Sequence, residues 1–108
     1  GLVDADVLGR LPDDALFVNV GRGELVDQRA LTDALAGGRL GGAGLDVFDP
    51  EPLAADDPLW DLPNVIISPH NSGSSDGTIR RVNEIFLDNL ARWIDGRDLR
   101  NEVAPPSP

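Results

Sequence analysis

The sequence predicts an α/β fold: about three parallel strands forming half of a doubly wound sheet, with flanking helices and a long C-terminal helix. Three observations carry this. Two apolar runs, Ala-Leu-Phe-Val-Asn-Val at 15–20 and Gly-Ala-Gly-Leu-Asp-Val-Phe at 42–48, flank an amphipathic stretch. Together they fill the roughly 30 residues of a strand–helix–strand unit. The first run is continuously apolar rather than alternating, as in strands buried on both faces. A third run, Val65-Ile66-Ile67, follows a proline-rich loop and precedes a long helical pattern.

Each element has its own start and stop signals. Asp4 is a candidate N-cap for a first helix with Val7, Leu8 and Leu11 at helical spacing, broken by Pro12-Asp13-Asp14. The first strand ends at Gly21. Asp27 caps a second helix whose stripe is Ala30, Leu31, Ala34 and Leu35, and Gly37-Gly38 stop it. The crossover to the second strand is expected to be right-handed. Residues 49–63 hold four prolines and read as a loop, with a helical turn at Pro58-Leu59-Trp60. Ser68-Pro69 end the third strand. A helix over 75–95 presents Ile79, Val82, Phe86, Leu90 and Trp93, widened by Ile85 and Ile94, until Gly96. The expected organisation is one domain over 1–103 and a loose tail at 104–108. Three strands and so few helices leave a sheet edge open and apolar surface uncovered. The chain therefore reads as part of a larger domain, and its start at Gly1 suggests residues upstream.

Composition narrows the function classes. The 108 residues carry 9 Lys plus Arg against 19 Asp plus Glu, a net charge of −10. This excludes a generic basic nucleic-acid binder and a polybasic membrane-surface binder. No apolar run approaches the ~20 residues of a membrane helix. Without cysteine there is no thiolate nucleophile or disulfide, and a single histidine excludes a multi-histidine metal site. No secretory signal is visible, so a cytoplasmic location is the expectation.

Ligands of open parallel sheets bind at the carboxyl ends of the strands. After the first strand comes Asn19-Val20-Gly21-Arg22-Gly23. After the second comes Asp49-Pro50-Glu51-Pro52, with Asp46 inside the run. After the third comes Pro69-His70-Asn71-Ser72-Gly73. One guanidinium, one carboxylate and the only imidazole thus converge on one edge. Singly, each has a bland reading: Arg22 as a solvated loop residue, Glu51 as one of many acids, His70 as a turn residue. Asp46 in an apolar strand costs desolvation unless it is paired or open to solvent at the strand end. Together the set has a chemical logic. A histidine exchanges protons near neutral pH, a nearby carboxylate favours its charged form, and an arginine fork matches a carboxylate substrate. That suits reduction of a 2-keto acid, with the hydride supplied by a cofactor.

Three ordered stretches carry a resemblance: Asn19 to Asp27, Gly42 to Leu53 with Leu-Asp-Val-Phe-Asp-Pro-Glu-Pro, and Asn64-Val-Ile-Ile-Ser-Pro-His70. From about Leu2 to Val103 the chain resembles the C-terminal part of the NAD-binding domain of the D-isomer-specific 2-hydroxyacid dehydrogenases, a Rossmann-like fold. The resemblance implies that Arg22 binds the substrate carboxylate and polarises its carbonyl. It implies that His70 is the general acid/base, and that Glu51 pairs with it and raises its pKa. Asp46 would hold the nicotinamide carboxamide, and Val20, Gly21, Arg22, His70, Ser72 and Gly73 would contact the nicotinamide end of NAD or NADP, NAD being favoured. Gly21 and Gly73 would let the backbone approach closely. A small 2-keto or 2-hydroxy acid is the implied substrate, a homodimer the implied assembly, and no metal is implied. The long helix would reach toward a separate substrate domain.

Gly21 stands where Thr, Ser or Ala is common in that family, and Asn71 where an apolar residue is common. The Gly-x-Gly-x-x-Gly turn is not in this sequence; Gly41-Gly42-Ala43-Gly44 precedes a strand instead of following one. Two alternatives to an enzyme part remain open at this point: an NAD-sensing regulatory module and an inactive gene remnant.

Overall fold

A computed structural model of the chain describes residues 1–104. The expected loose tail at 104–108 falls, beyond Ala104, outside the described residues. Contacts divide the described residues into two compact units, residues 1–72 and those from Gly73 on.

The first unit follows the expected order. Helix α1 (Ala5–Gly9) starts where the Asp4 carboxylate accepts the Val7 amide at 2.9 Å. Strand β1 (Leu16–Asn19) leads to a 3-10 turn, Gly23–Leu25. Helix α2 (Gln28–Ala36) is capped by Asp27, which accepts the Ala30 amide at 3.0 Å. It ends at Gly37, and Gly38 takes the left-handed conformation at φ 68°. Strand β2 (Gly42–Leu45) follows, then the turn Pro58–Asp61 and strand β3 (Val65–Ile67). The strands are all parallel, in the order β1-β2-β3. Both β1 and β2 are shorter than the apolar runs that encode them, because pairing stops where the backbone turns off to build the site.

Register sorts the side chains. Phe17, Ala43 and Val65 lie abreast, as do Asn19, Leu45 and Ile67. The apolar members of these rows pack with Leu8, Leu31, Leu35, Leu40 and Leu59, each of those five at most 2 % exposed. The intervening row is Val18, Gly44 and Ile66. Here the structure corrects the expectation that the first strand is buried on both faces: Leu16 and Val18 are 78 and 68 % exposed, and with Ile66 at 76 % they form the uncovered apolar surface that so few helices imply. Helices α1 and α2 supply core residues to one face of the sheet only, so uniform apolarity here does not mean uniform burial.

The second unit is helix α3 (Thr78–Ile94) with the segments around it. It begins three residues later than its periodicity suggests. The Thr78 amide bonds the Ser75 carbonyl, and the two hydroxyls lie 2.7 Å apart. Gly96, at φ 67°, follows its C-terminus as expected. The chain then folds back on the helix, with Asn89 bonding both the amide and the carbonyl of Arg100. The apolar stripe is present but α3 has no buried residue; Phe86 and Trp93 are exposed. No helix of the described residues is long and apolar enough to cross a membrane.

Candidate active site

The carboxyl ends of the three parallel strands carry three loops, and hydrogen bonds fix each one. The loop after β1 is built by Asn19, which is buried. Its side-chain oxygen accepts the Gly21 amide at 3.1 Å, an Asx turn, and its Nδ2 donates to the Arg22 carbonyl at 3.0 Å. This leaves the Arg22 guanidinium on the surface, bonded to the Gly21 carbonyl and, among the described residues, in no ion pair. Directly after it, Gly23 meets the loop that follows β2. A Cβ there would lie 1.9 Å from the Phe48 carbonyl oxygen, so no other residue fits this backbone crossing.

Asp46, one residue past β2, is 1 % exposed, which overturns the solvent-open reading of this position. Its carboxylate accepts the Ser68 hydroxyl at 2.5 Å and the Asn71 amide at 3.0 Å on Oδ1, and the Ser72 amide at 2.8 Å on Oδ2. All three donors belong to the loop after β3. The Ser68 bond leads in holding the Asp46 carboxyl well below the usual carboxylate range, against the opposing effect of burial. The anchored loop keeps His70 in the left-handed backbone region at φ 50°, which a non-glycine residue adopts only where its surroundings enforce it.

Held this way, His70 Nδ1 lies 2.8 Å from Glu51 Oε2. The other Glu51 oxygen accepts the Phe48 amide at 2.9 Å. The His70 hydrogen bond, then the Phe48 amide, lowers the Glu51 pKa, and the nearby charges of His70 and Arg22 add to this. Arg22, Glu51 and His70 are thus electrostatic neighbours on one edge. Both members of the pair keep solvent access, 48 % for the His70 side chain and 36 % for that of Glu51. A cleft of about 340 Å³ opens beside them, walled by Phe48, Pro52, Leu53 and Trp60.

Residues 1–72 match the family model described as "D-isomer specific 2-hydroxyacid dehydrogenase, NAD binding domain". The chain belongs to this family. A glyoxylate/hydroxypyruvate reductase B from Pectobacterium carotovorum subsp. carotovorum is 41 % identical over 104 residues, covering 96 % of this chain and 32 % of the relative. A glyoxylate reductase from Korarchaeum cryptofilum is 44 % identical, covering 96 % and 30 %. Among solved structures, a D-isomer specific 2-hydroxyacid dehydrogenase from Xanthobacter autotrophicus Py2, in complex with NADPH and MES, superposes with a TM-score of 0.88 at 39 % identity. It covers 97 % of this chain and 43 % of that one. The chain spans about a third of the length of the curated relatives it matches.

Within this dehydrogenase segment the sequence-derived site residues fall into three groups. Arg22, Glu51 and His70 share one edge, with Asp46 and Ser72 in the network behind His70. Val20 and Gly21 belong to the β1 loop; Val20 is exposed, and a Cβ at Gly21 would make only ordinary contacts at 3.5 Å. Gly73 opens the second unit and has nothing within 4 Å of a Cβ position. Gly23 makes a close approach of a different kind, to the Phe48 backbone within the chain. Sequence reasoning also passed over Asn19 and Ser68. Asn19 had a signal, a polar residue closing an apolar strand two positions before a glycine. Ser68 had none, because its partner lies 22 positions away.

Proposed function

We propose that this segment carries the proton-transfer and carboxylate-binding side of a nicotinamide-dependent site that interconverts a small D-2-hydroxy acid and its 2-keto acid. The supporting observation is the His70 Nδ1–Glu51 Oε2 contact of 2.8 Å, which engages one ring nitrogen and leaves Nε2 for substrate. In the reduction direction His70 Nε2 donates a proton to the carbonyl oxygen, and in oxidation it takes the hydroxyl proton. Glu51 fixes the ring and balances the imidazolium charge. Arg22, exposed and in no ion pair among the described residues, binds the substrate carboxylate and polarises the carbonyl.

The residues present fit the nicotinamide end of the cofactor. A carboxylate offers about four acceptor sites. Asp46 lines the cleft and, in this reading, accepts a carboxamide N–H in place of the Ser72 side chain, which also bonds it in the free chain. The loop of Val20, Gly21 and Arg22 and the loop to Ser72 flank it in this reading. When bound, the reduced nicotinamide supplies a hydride to the carbonyl carbon. The family description names NAD and the Xanthobacter relative was solved with NADPH; both forms belong to the proposal, with no preference between them.

Glyoxylate and hydroxypyruvate are the first substrates to try, since relatives bear those names. The test exchanges the matching segment of the Pectobacterium reductase for this chain. The chimera is expected to reduce one or both acids with NADH or NADPH. His70→Ala should lower its kcat by about 10²–10⁴-fold, the usual worth of general acid–base catalysis, with cofactor affinity kept. Arg22→Ala should depress kcat/KM by weakening substrate use. The 108-residue chain by itself, which has no Gly-x-Gly-x-x-Gly turn, is expected to show no turnover. Unchanged kcat in the His70→Ala chimera would remove the proton-transfer role.

A further inference from the structure

We propose that Gln28 is a positioning residue for the His70–Glu51 pair, because its one side-chain amide ties together both ends of the loop that carries Glu51. Gln28 is the first residue of α2 and is half-buried. Its Oε1 accepts the Asp49 amide at 3.2 Å, and its Nε2 donates to Asp57 Oδ2 at 3.1 Å. Asp57 Oδ1 in turn accepts the Leu59 amide at 2.9 Å, capping the turn Pro58–Asp61. The chain from Asp49 to Asp57 is thereby closed on a rigid helix end, with Glu51 inside it.

The chemistry fixes which way the amide points. A backbone N–H at Asp49 needs an acceptor and a carboxylate at Asp57 needs a donor. Only one orientation of Gln28 serves both. Glu51 needs such support, since its own loop has two prolines, Pro50 and Pro52, that offer no backbone N–H. What faces the Glu51 carboxylate is His70 from the β3 loop, Arg22 from the β1 loop and the Phe48 amide. Keeping Glu51 at 2.8 Å from Nδ1 requires that its loop hold still against all three. The inference rests on His70 and Glu51 acting as a pair in the proposed reaction, but its geometry is testable without turnover.

The test is a charge-and-donor swap. Gln28→Glu keeps the acceptor for Asp49 but sets two carboxylates against each other. Asp57→Asn keeps the acceptor for Leu59 but sets an N–H₂ against an N–H₂. The double variant restores one donor facing one acceptor at every contact. The readout is the titration midpoint of the Glu51 carboxyl carbon by NMR in the 108-residue chain, assigned with Glu51→Gln among the four glutamates. Each single variant is expected to move the midpoint up, and the double variant to return it to the wild-type position. A residue that only added stability would alter the melting temperature and leave that midpoint in place.

The proposal is overturned if the single variants leave the Glu51 midpoint unmoved, or if the double variant does not bring it back. Where a single variant does not fold, the double variant decides: a folded chain with a wild-type midpoint supports the clamp, and any other result overturns it. In the chimera, Gln28→Glu should lower kcat about tenfold at unchanged KM, as expected for a small misplacement of a reacting group, with rescue in the double variant. If His70→Ala leaves kcat intact while the Glu51 midpoint still responds to the swap, the clamp stands and the catalytic reading falls.

Discussion

Two loops meet at this site, and they use their carboxylates differently. The loop after β3 hangs on Asp46, which is sealed from solvent and spends both oxygens on donors of that loop. The loop after β2 carries Glu51, which is partly exposed and aims one oxygen at the imidazole. Asp46 sets where the His70 backbone stands; Glu51 orients its ring through Nδ1. The difference shows why a buried acid in an apolar strand is tolerated. A carboxylate that ionises against three short hydrogen bonds offsets its own desolvation and fixes a strained turn at once.

That division is broken most severely at Asp46. Asp46→Ala leaves the Ser68 hydroxyl and two loop amides without their acceptor, and with them the anchor of the loop that holds His70 at positive φ. The expected outcome is a larger fall in melting temperature than any other single substitution at the site produces, together with loss of chimera turnover. Glu51→Gln, by contrast, should lower kcat with little change in melting temperature. Equal thermal effects of the two substitutions would erase the distinction between anchor and partner.

The next effect belongs to the point where the β1 and β2 loops cross. Gly23→Ala drives a methyl into the Phe48 carbonyl, and the atoms it meets are backbone that cannot swing aside. Overpacking of this kind costs about 1–3 kcal/mol. Because Phe48 also donates to Glu51, the strain should reach the pair: a melting curve should shift down and the Glu51 carboxyl midpoint should move up. A variant with a normal melting curve and midpoint would mean that the two loops part without disturbing Glu51.

Much of this was readable from residue order alone, for definite reasons. Helix caps are local, so Asp4 and Asp27 announced themselves, and Gly37-Gly38 and Gly96 marked the stops. Parallel strands end at one edge, so the polar residues after each run had to gather there. What residue order did not show is pairing over distance. Ser68 meets Asp46 and Gln28 meets Asp49 and Asp57 only after the sheet has formed. The same limit explains the burial error at Leu16 and Val18: hydrophobicity says a face can be covered, and only the placement of helices says whether it is. Gly23 was overlooked for a related reason, since its need for glycine arises from Phe48, 25 positions on.

The smallest effect should appear in acid, and its sign follows from the two carboxyls. Both Asp46 and Glu51 have pKa values lowered in the folded chain, by Ser68 and by His70 foremost. Below the ordinary carboxylate pKa of about 4 the unfolded chain binds these protons first, so stability must drop as pH falls further. The contribution is fully present above that value and is lost progressively toward the lowered folded values. Urea denaturation of the 108-residue chain should therefore give a free energy that changes little from these groups between about pH 7 and 5, then declines steeply between about pH 4 and 3. Glu51→Gln removes one titrating group and should make that decline shallower, while the part due to Asp46 persists. A wild-type slope in the Glu51→Gln chain would show that the His70 contact does not favour the ionised carboxylate, and the contrast between the two loops would rest on Asp46 alone.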